Sequence, residues 1–191
     1  MKVVALLGSP RRHGNSSGMC ESLTSLLEKK GHQVTTHYLN GLSYRGCQAC
    51  GGCKGRSEVC VLLDDLTPVL KDVQDSDIAI LSSPVYWGEV SSQMKGYIDR
   101  TYSYLTPDFI EGPVRHRLTP GKKLVFILTQ GGDKEMYDDI FPRYNGFFQQ
   151  LEMFEDAFLL RGCDLSERDD YESRADLLEE IEEIADKLHQ E

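Results

Sequence analysis

MKVVALLGSPRRHGNSS, residues 1–17, is the stretch on which the fold turns. Val3 to Leu7 is an unbroken apolar run that stops at Gly8. A strand covered on both faces reads this way, whereas a half-exposed strand would alternate polar and apolar. A polar segment rich in Ser, Gly and Asn follows. Asn15 to Lys30 then carries Met19, Leu23, Leu26 and Leu27 at helical spacing and ends at Gly31, a natural helix terminator. A strand, a polar loop and a helix in that order open a βαβ unit.

The alternation continues along the chain. Further strands are expected at Gln33–Leu39, Asp77–Leu81, Lys122–Leu128 and Ala157–Leu160, and helices at Asp64–Val73, Ser91–Tyr102, Tyr144–Glu155 and Ser173–His189. Five parallel strands with helices on both faces make a doubly wound α/β sheet, with the expected order 2-1-3-4-5 of a flavodoxin-like fold. The 191 residues suit one domain over 1–191. Two stretches lack an element of their own, 103–121 and a cysteine-rich insertion at about 40–63. Loops this long in a compact domain usually carry function.

Charge and hydropathy remove several classes of function. The net charge of −10 argues against a nucleic-acid partner, since an acidic chain gains nothing from phosphate neutralisation. No apolar run approaches the ~20 residues that span a bilayer, so no membrane association is expected. The apolar part of the N-terminal stretch is too short for a secretory signal, and the expected compartment is the cytoplasm. Thiols stay reduced there, so clustered cysteines point to metal binding or catalysis rather than disulfides.

Ligands of such sheets bind beyond the carboxyl ends of the strands. The loop after the first strand, GSPRRHGNSS at 8–17, is neither G-x-G-x-x-G nor a P-loop ending in G-K-[ST]. It offers Ser9, Asn15, Ser16 and Ser17 as polar donors, Arg11 as a charge, and the start of the next helix, which together suit one phosphate monoester. The loop after the third strand gathers Pro84, Tyr86, Gly88 and the sole tryptophan, Trp87, apolar faces suited to a planar ligand. The loop after the fourth strand, TQGGD at 129–133, has paired glycines that admit close backbone approach. A phosphate end, a flat-ring end and a third wall on one rim suit flavin mononucleotide (FMN).

Cys47, Cys50, Cys53 and Cys60 follow C-x2-C-x2-C-x6-C spacing. Thiolates are soft ligands for zinc or iron–sulfur clusters. Structural zinc more often takes two C-x2-C pairs separated by a long loop, while three cysteines at spacing two suit a cuboidal cluster with one thiolate per iron. Cys50 to Ser57 also reads C-x5-R-S, the pattern of tyrosine-phosphatase loops, although such a loop belongs directly after the first strand. Cys20 and Cys163 read as small buried residues rather than ligands.

Over residues 1–135 the chain resembles the NADPH-dependent FMN reductase and iron–sulfur flavoprotein family. The most specific part is Pro84, Tyr86 and Trp87 followed by Lys95, Asp99 and Arg100. The resemblance implies that Ser9, Arg11, Asn15, Ser16 and Ser17 hold the FMN phosphate. It implies that Pro84, Val85, Tyr86, Trp87 and Gly88 line the ring, with Gln130, Gly131 and Gly132 opposite. Lys95, Asp99 and Arg100 read as structural. By the same resemblance the four cysteines would hold a 4Fe–4S cluster, the electron donor would be NAD(P)H or a ferredoxin-like protein, and the assembly would be a homodimer or homotetramer. Cluster-free relatives are NAD(P)H-dependent reductases of flavins and quinones, which keeps that alternative open.

Overall fold

Residues 1–190 are described by the computed structural model. The opening apolar run forms β1 (Lys2–Leu7), flanked on both sides by parallel neighbours, β2 (Gln33–Tyr38) and β3 (Ile78–Tyr86). With β5 (Lys123–Thr129) and β6 (Asp156–Gly162) the parallel order is β2-β1-β3-β5-β6, the one expected from the sequence. The addition is β4 (Glu89–Val90), a two-residue strand that folds back antiparallel on the end of β3. The third strand also runs well past Leu81, because Ser82, Ser83 and Pro84 continue the ladder opposite Ile127, Leu128 and Thr129.

Helices α1 (Asn15–Lys29) and α5 (Ala175–Gln190) cover one face of the sheet, and α2 (Leu66–Asp75), α3 (Ser92–Arg100) and α4 (Ile140–Gln150) cover the other. Met19, Leu23 and Leu27 meet Ile181, Ile184 and Leu188 on the first face. Val69, Tyr97, Tyr144 and Phe148 pack over Leu6 and Phe126 on the second. Each such side chain contributes roughly 1.5–3 kcal/mol by leaving water. Among the described residues no helix is long and apolar enough to cross a membrane.

The fourth helix lies earlier than its apolar spacing suggests, ending at Gln150 rather than Glu155. Glu152 takes a left-handed backbone with φ 55. Glu152 N then donates to Gln149 O at 3.0 Å and Met153 N to Phe148 O at 2.9 Å, a Schellman closure. Phe147 is left largely exposed, while Tyr144 and Phe148 are buried.

The long connection from β2 to α2 holds two single-turn 3₁₀ helices, Leu39–Gly41 and Gly52–Lys54. Its two flanks are drawn together by Arg100, the last residue of α3. Nη1 donates to Arg45 O at 2.9 Å and to Asp64 Oδ2 at 2.8 Å, while Nη2 donates to Leu62 O at 3.1 Å and Asp64 Oδ1 at 3.3 Å. Burial alone would raise the Asp64 carboxyl. The Arg100 guanidinium and the amides of Arg45 and Leu66 outweigh it and hold the group below its ordinary 3.8. A carboxyl depressed by folding stabilises fully above the unfolded value and loses that contribution as pH falls through the folded one. Asp64→Asn should therefore destabilise the fold at neutral pH by about 3 kcal/mol and flatten the loss of stability below pH 3.8. Urea melts of both proteins at neutral and acid pH check this, and parallel stability–pH curves would refute it.

Candidate functional site

Parallel strands end together here, and their last polar groups are tied off by serines. Gly8 N donates to Ser82 O at 2.8 Å. Ser82 Oγ donates to Ser16 O at 2.7 Å, Ser91 N to Ser83 Oγ at 2.9 Å, and Ser91 Oγ to Gly8 O at 2.6 Å. Ser91 Oγ also accepts from Met94 N at 3.2 Å, capping α3. A Cβ at residue 8 would stand 3.0 Å from Ser82 O and 2.9 Å from Met94 Cβ, so only glycine permits this approach. The lattice fixes the loops after β1 and β3 against each other.

Between those loops lies a cleft of about 110 Å³. It is lined by Ser9, Arg11, Asn15 and Ser16 after β1, Pro84, Val85 and Tyr86 at the end of β3, and Gln130 and Gly131 after β5. Helix α1 opens into it with Gly14 at its N-cap, no side-chain cap and no acidic residue in its first turn. Amides at a helix start, Arg11 and buried Ser9 give this cleft donors and positive charge of the kind that suits an anion. Arg12 takes no part, since its guanidinium lies 5.4 Å from the centre of the Tyr38 ring.

Four sequence-selected residues stand outside this lining. Ser17 is fully buried and its hydroxyl donates to Arg11 O at 3.3 Å, so it shapes the loop from behind. Gly132 accepts from Asp164 N at 2.9 Å. Trp87 and Gly88 form the tip of the β3–β4 hairpin, both left-handed with φ 52 and 73, and Trp87 is fully exposed. A bulky residue held in that conformation is a strained arrangement of the kind found at functional sites. Glu89 anchors the hairpin to α4, accepting from Tyr144 OH and Arg143 Nη2, each at 2.9 Å. Burial and the Glu89 carboxylate push the Tyr144 phenol up, which keeps it protonated as a donor.

The fourth wall of the cleft, Leu165 to Arg168 after β6, escaped the sequence reading. Asn15 fastens it, with Nδ2 donating to Glu167 O at 2.8 Å and Oδ1 accepting from Tyr171 N at 3.3 Å. The available signal was positional. A polar loop after the last strand lies on the same rim as the other three.

A second cavity, about 730 Å³, lies between the cysteine loop, α3 and α4. Cys47, Cys50, Cys53 and Cys60 all line it, with Arg100, Tyr102, Tyr144 and Phe148. Left-handed turns at Ala49 and Gly51 curl the loop around it. All four cysteines are free thiols, and Cys47 Sγ already accepts from Ala49 N at 3.4 Å. Among the described residues no three metal-ligating side chains converge on one point. The donor set fits a group that occupies a volume and takes one thiolate at each of several corners better than it fits a single ion. Lys95 and Asp99 pair with each other at 2.5 Å on the exposed side of α3. Cys20 is buried in the other core, where burial pushes its thiol up to about 12, and Cys163 is raised by burial as well.

The chain is 40% identical over 104 residues to an iron–sulfur flavoprotein of Archaeoglobus fulgidus, covering 54% of this chain and 47% of that protein. It is 28% identical over 101 residues to an iron–sulfur flavoprotein of Methanosarcina thermophila, covering 53% and 52%. The matched stretches thus span about half the length of these relatives. Among solved structures, an FMN-dependent NADH-azoreductase of Bacillus anthracis in complex with FMN superposes with a TM-score of 0.74 at 14% identity, covering 99% of this chain and 100% of that one. An NAD(P)H:quinone oxidoreductase of Methanothermobacter marburgensis gives 0.71 at 16%, covering 98% and 96%. At such identities the likeness is one of fold. A family model for the flavodoxin-like fold matches residues 1–187, and the chain belongs to that family.

Proposed function

We propose that the chain is an FMN-binding oxidoreductase and electron carrier whose Cys47, Cys50, Cys53 and Cys60 hold a 4Fe–4S cluster. One observation carries the reading. Ser9, Arg11, Asn15, Ser16, Pro84, Val85, Tyr86, Gln130 and Gly131, chosen from three separate loops for a flavin, line a single cleft at the strand ends. The similarity to iron–sulfur flavoproteins supports it, as does the fold shared with an enzyme that binds FMN.

In this reading Arg11, Ser9, Ser16 and the first amides of α1 bind the phosphate. The cleft has room for that end of the molecule, and the ring needs the open flank offered by Pro84 to Gly88, with Gln130 and Gly131 across from it. Ser17 and Gly132 act by shaping the two loops. When bound, FMN supplies hydride acceptance from NAD(P)H and the cluster supplies one-electron exchange with a ferredoxin-like donor. The protein binds and orients, and no side chain is assigned a proton.

A cluster-free NAD(P)H-dependent FMN or quinone reductase is the second reading, supported by the fold shared with an NADH-azoreductase and an NAD(P)H:quinone oxidoreductase. A phosphatase is disfavoured. Cys50 to Ser57 runs through the 3₁₀ turn Gly52–Lys54 and does not lead from a strand into a helix start.

Anaerobic purification followed by assays of flavin, iron and acid-labile sulfide divides the readings. Flavin with about four irons per chain supports the carrier. Flavin without iron moves the assignment to the cluster-free reductase, and a colourless protein refutes both. Arg11→Ala should weaken FMN binding about tenfold, near 1.5 kcal/mol for a charged hydrogen bond, with iron content unchanged. Fluorescence titration of FMN measures that, and wild-type affinity would exclude Arg11 as a phosphate ligand. Cys53→Ser should lose iron and keep flavin, and full iron retention would remove Cys53 from the ligand set.

A further inference from the structure

The N–H groups of an arginine can be accounted for one by one. Arg100 is 1% exposed, and its four Nη hydrogens are taken by Arg45, Leu62 and Asp64. Its Nε is buried with no partner among the described residues. A buried charged donor is costly to leave unpaired, so an acceptor is called for there. Arg100 lines the cavity of the four thiols, and Cys60 is near enough to its guanidinium to interact with it electrostatically.

Lys54 accounts for its ammonium in the same way. Nζ donates to Tyr102 O at 2.6 Å and Leu105 O at 2.8 Å, and its third contact is Cys53 Sγ at 3.8 Å. It also lies 4.1 Å from the centre of the Tyr102 ring. Two cations, each fixed by backbone carbonyls, therefore lie beside two of the four thiols, Arg100 at the end of α3 and Lys54 on the cysteine loop's own 3₁₀ turn. The carbonyls of Arg45 and Leu62 flank the cysteine run on either side, so Arg100 fixes where the loop lies as well as the local charge.

We propose that Arg100 and Lys54 are positioning residues that hold the cysteine loop against α3 and direct N–H donors and positive charge at the sulfurs of Cys60 and Cys53, raising the reduction potential of the iron–sulfur group bound there. The inference rests on the cluster reading above. Reduction adds one negative charge, which a nearby cation favours, and hydrogen bonds to sulfur act in the same direction.

The test compares the anaerobically purified full chain with Lys54→Met, Lys54→Arg and Arg100→Lys. Iron, sulfide, melting temperature and the cluster midpoint potential are read on each. Lys54→Met and Arg100→Lys should each favour the oxidised form about tenfold at a fixed potential, a midpoint lower by about 59 mV for a one-electron couple. Lys54→Arg should stay near wild type. Arg100→Lys, which disrupts four hydrogen bonds of a buried side chain, should melt lower than Lys54→Met, which loses two carbonyl bonds, while their midpoints fall alike, and this separates tuning from folding. Loss of iron from Lys54→Met with flavin retained and a folded chain supports the same assignment. Wild-type midpoints with full iron in both variants overturn the inference and leave the cluster reading standing. A shift in one alone overturns the assignment of the other. A wild-type protein without iron overturns the cluster reading, and this inference falls with it.

Discussion

The close approach of the tops of β1 and β3 governs everything at the working edge of this molecule. The sheet is covered on both faces, so where its ladder ends the last amides and carbonyls have no water to turn to. Ser82, Ser83 and Ser91 take up those groups, and Gly8 lets the backbones meet closely enough for them to do so. With the two chain tops joined in this way, the start of α1 and the β3–β4 hairpin are held on opposite sides of one gap. The donor-rich cleft wall and the apolar flank are thus two products of one packing solution.

Helix α4 connects that edge to the cysteine cavity. Tyr144 gives its hydroxyl to Glu89 of the hairpin while its side chain lines the cavity of the thiols. The hairpin tip and the cysteine loop therefore share a support, although they lie far apart in sequence. On the function proposed here, sites tied to one helix would keep the fixed mutual distance that electron exchange between them requires.

Periodicity made the architecture legible. Val3–Leu7 and the later apolar runs fixed the central strands, and their alternation with helical stripes fixed the parallel order. The errors have local physical causes. The end of α4 depends on Glu152 in a left-handed conformation, and no glycine marks the spot. The extra length of β3 depends on Ser82 to Pro84 finding partners on β5, a non-local fact. In the site, residue types that suit a phosphate were readable, but not which of them the protein would use for itself. Ser17 and Asn15 look equivalent in sequence, yet one is spent on Arg11 and the other latches the loop after β6. Arg100 was legible only as a structural arginine, because the count of its satisfied donors needs coordinates.

The exposed hairpin tip has an optical consequence. Trp87 is the sole tryptophan of the chain, and folding leaves it as open to water as unfolding would. Its emission should therefore hardly register the collapse of the two cores. It should respond strongly when a ring system settles against the tip. On the proposed function, the chain would carry an intrinsic reporter nearly blind to its own folding and responsive to a ring bound beside the hairpin tip.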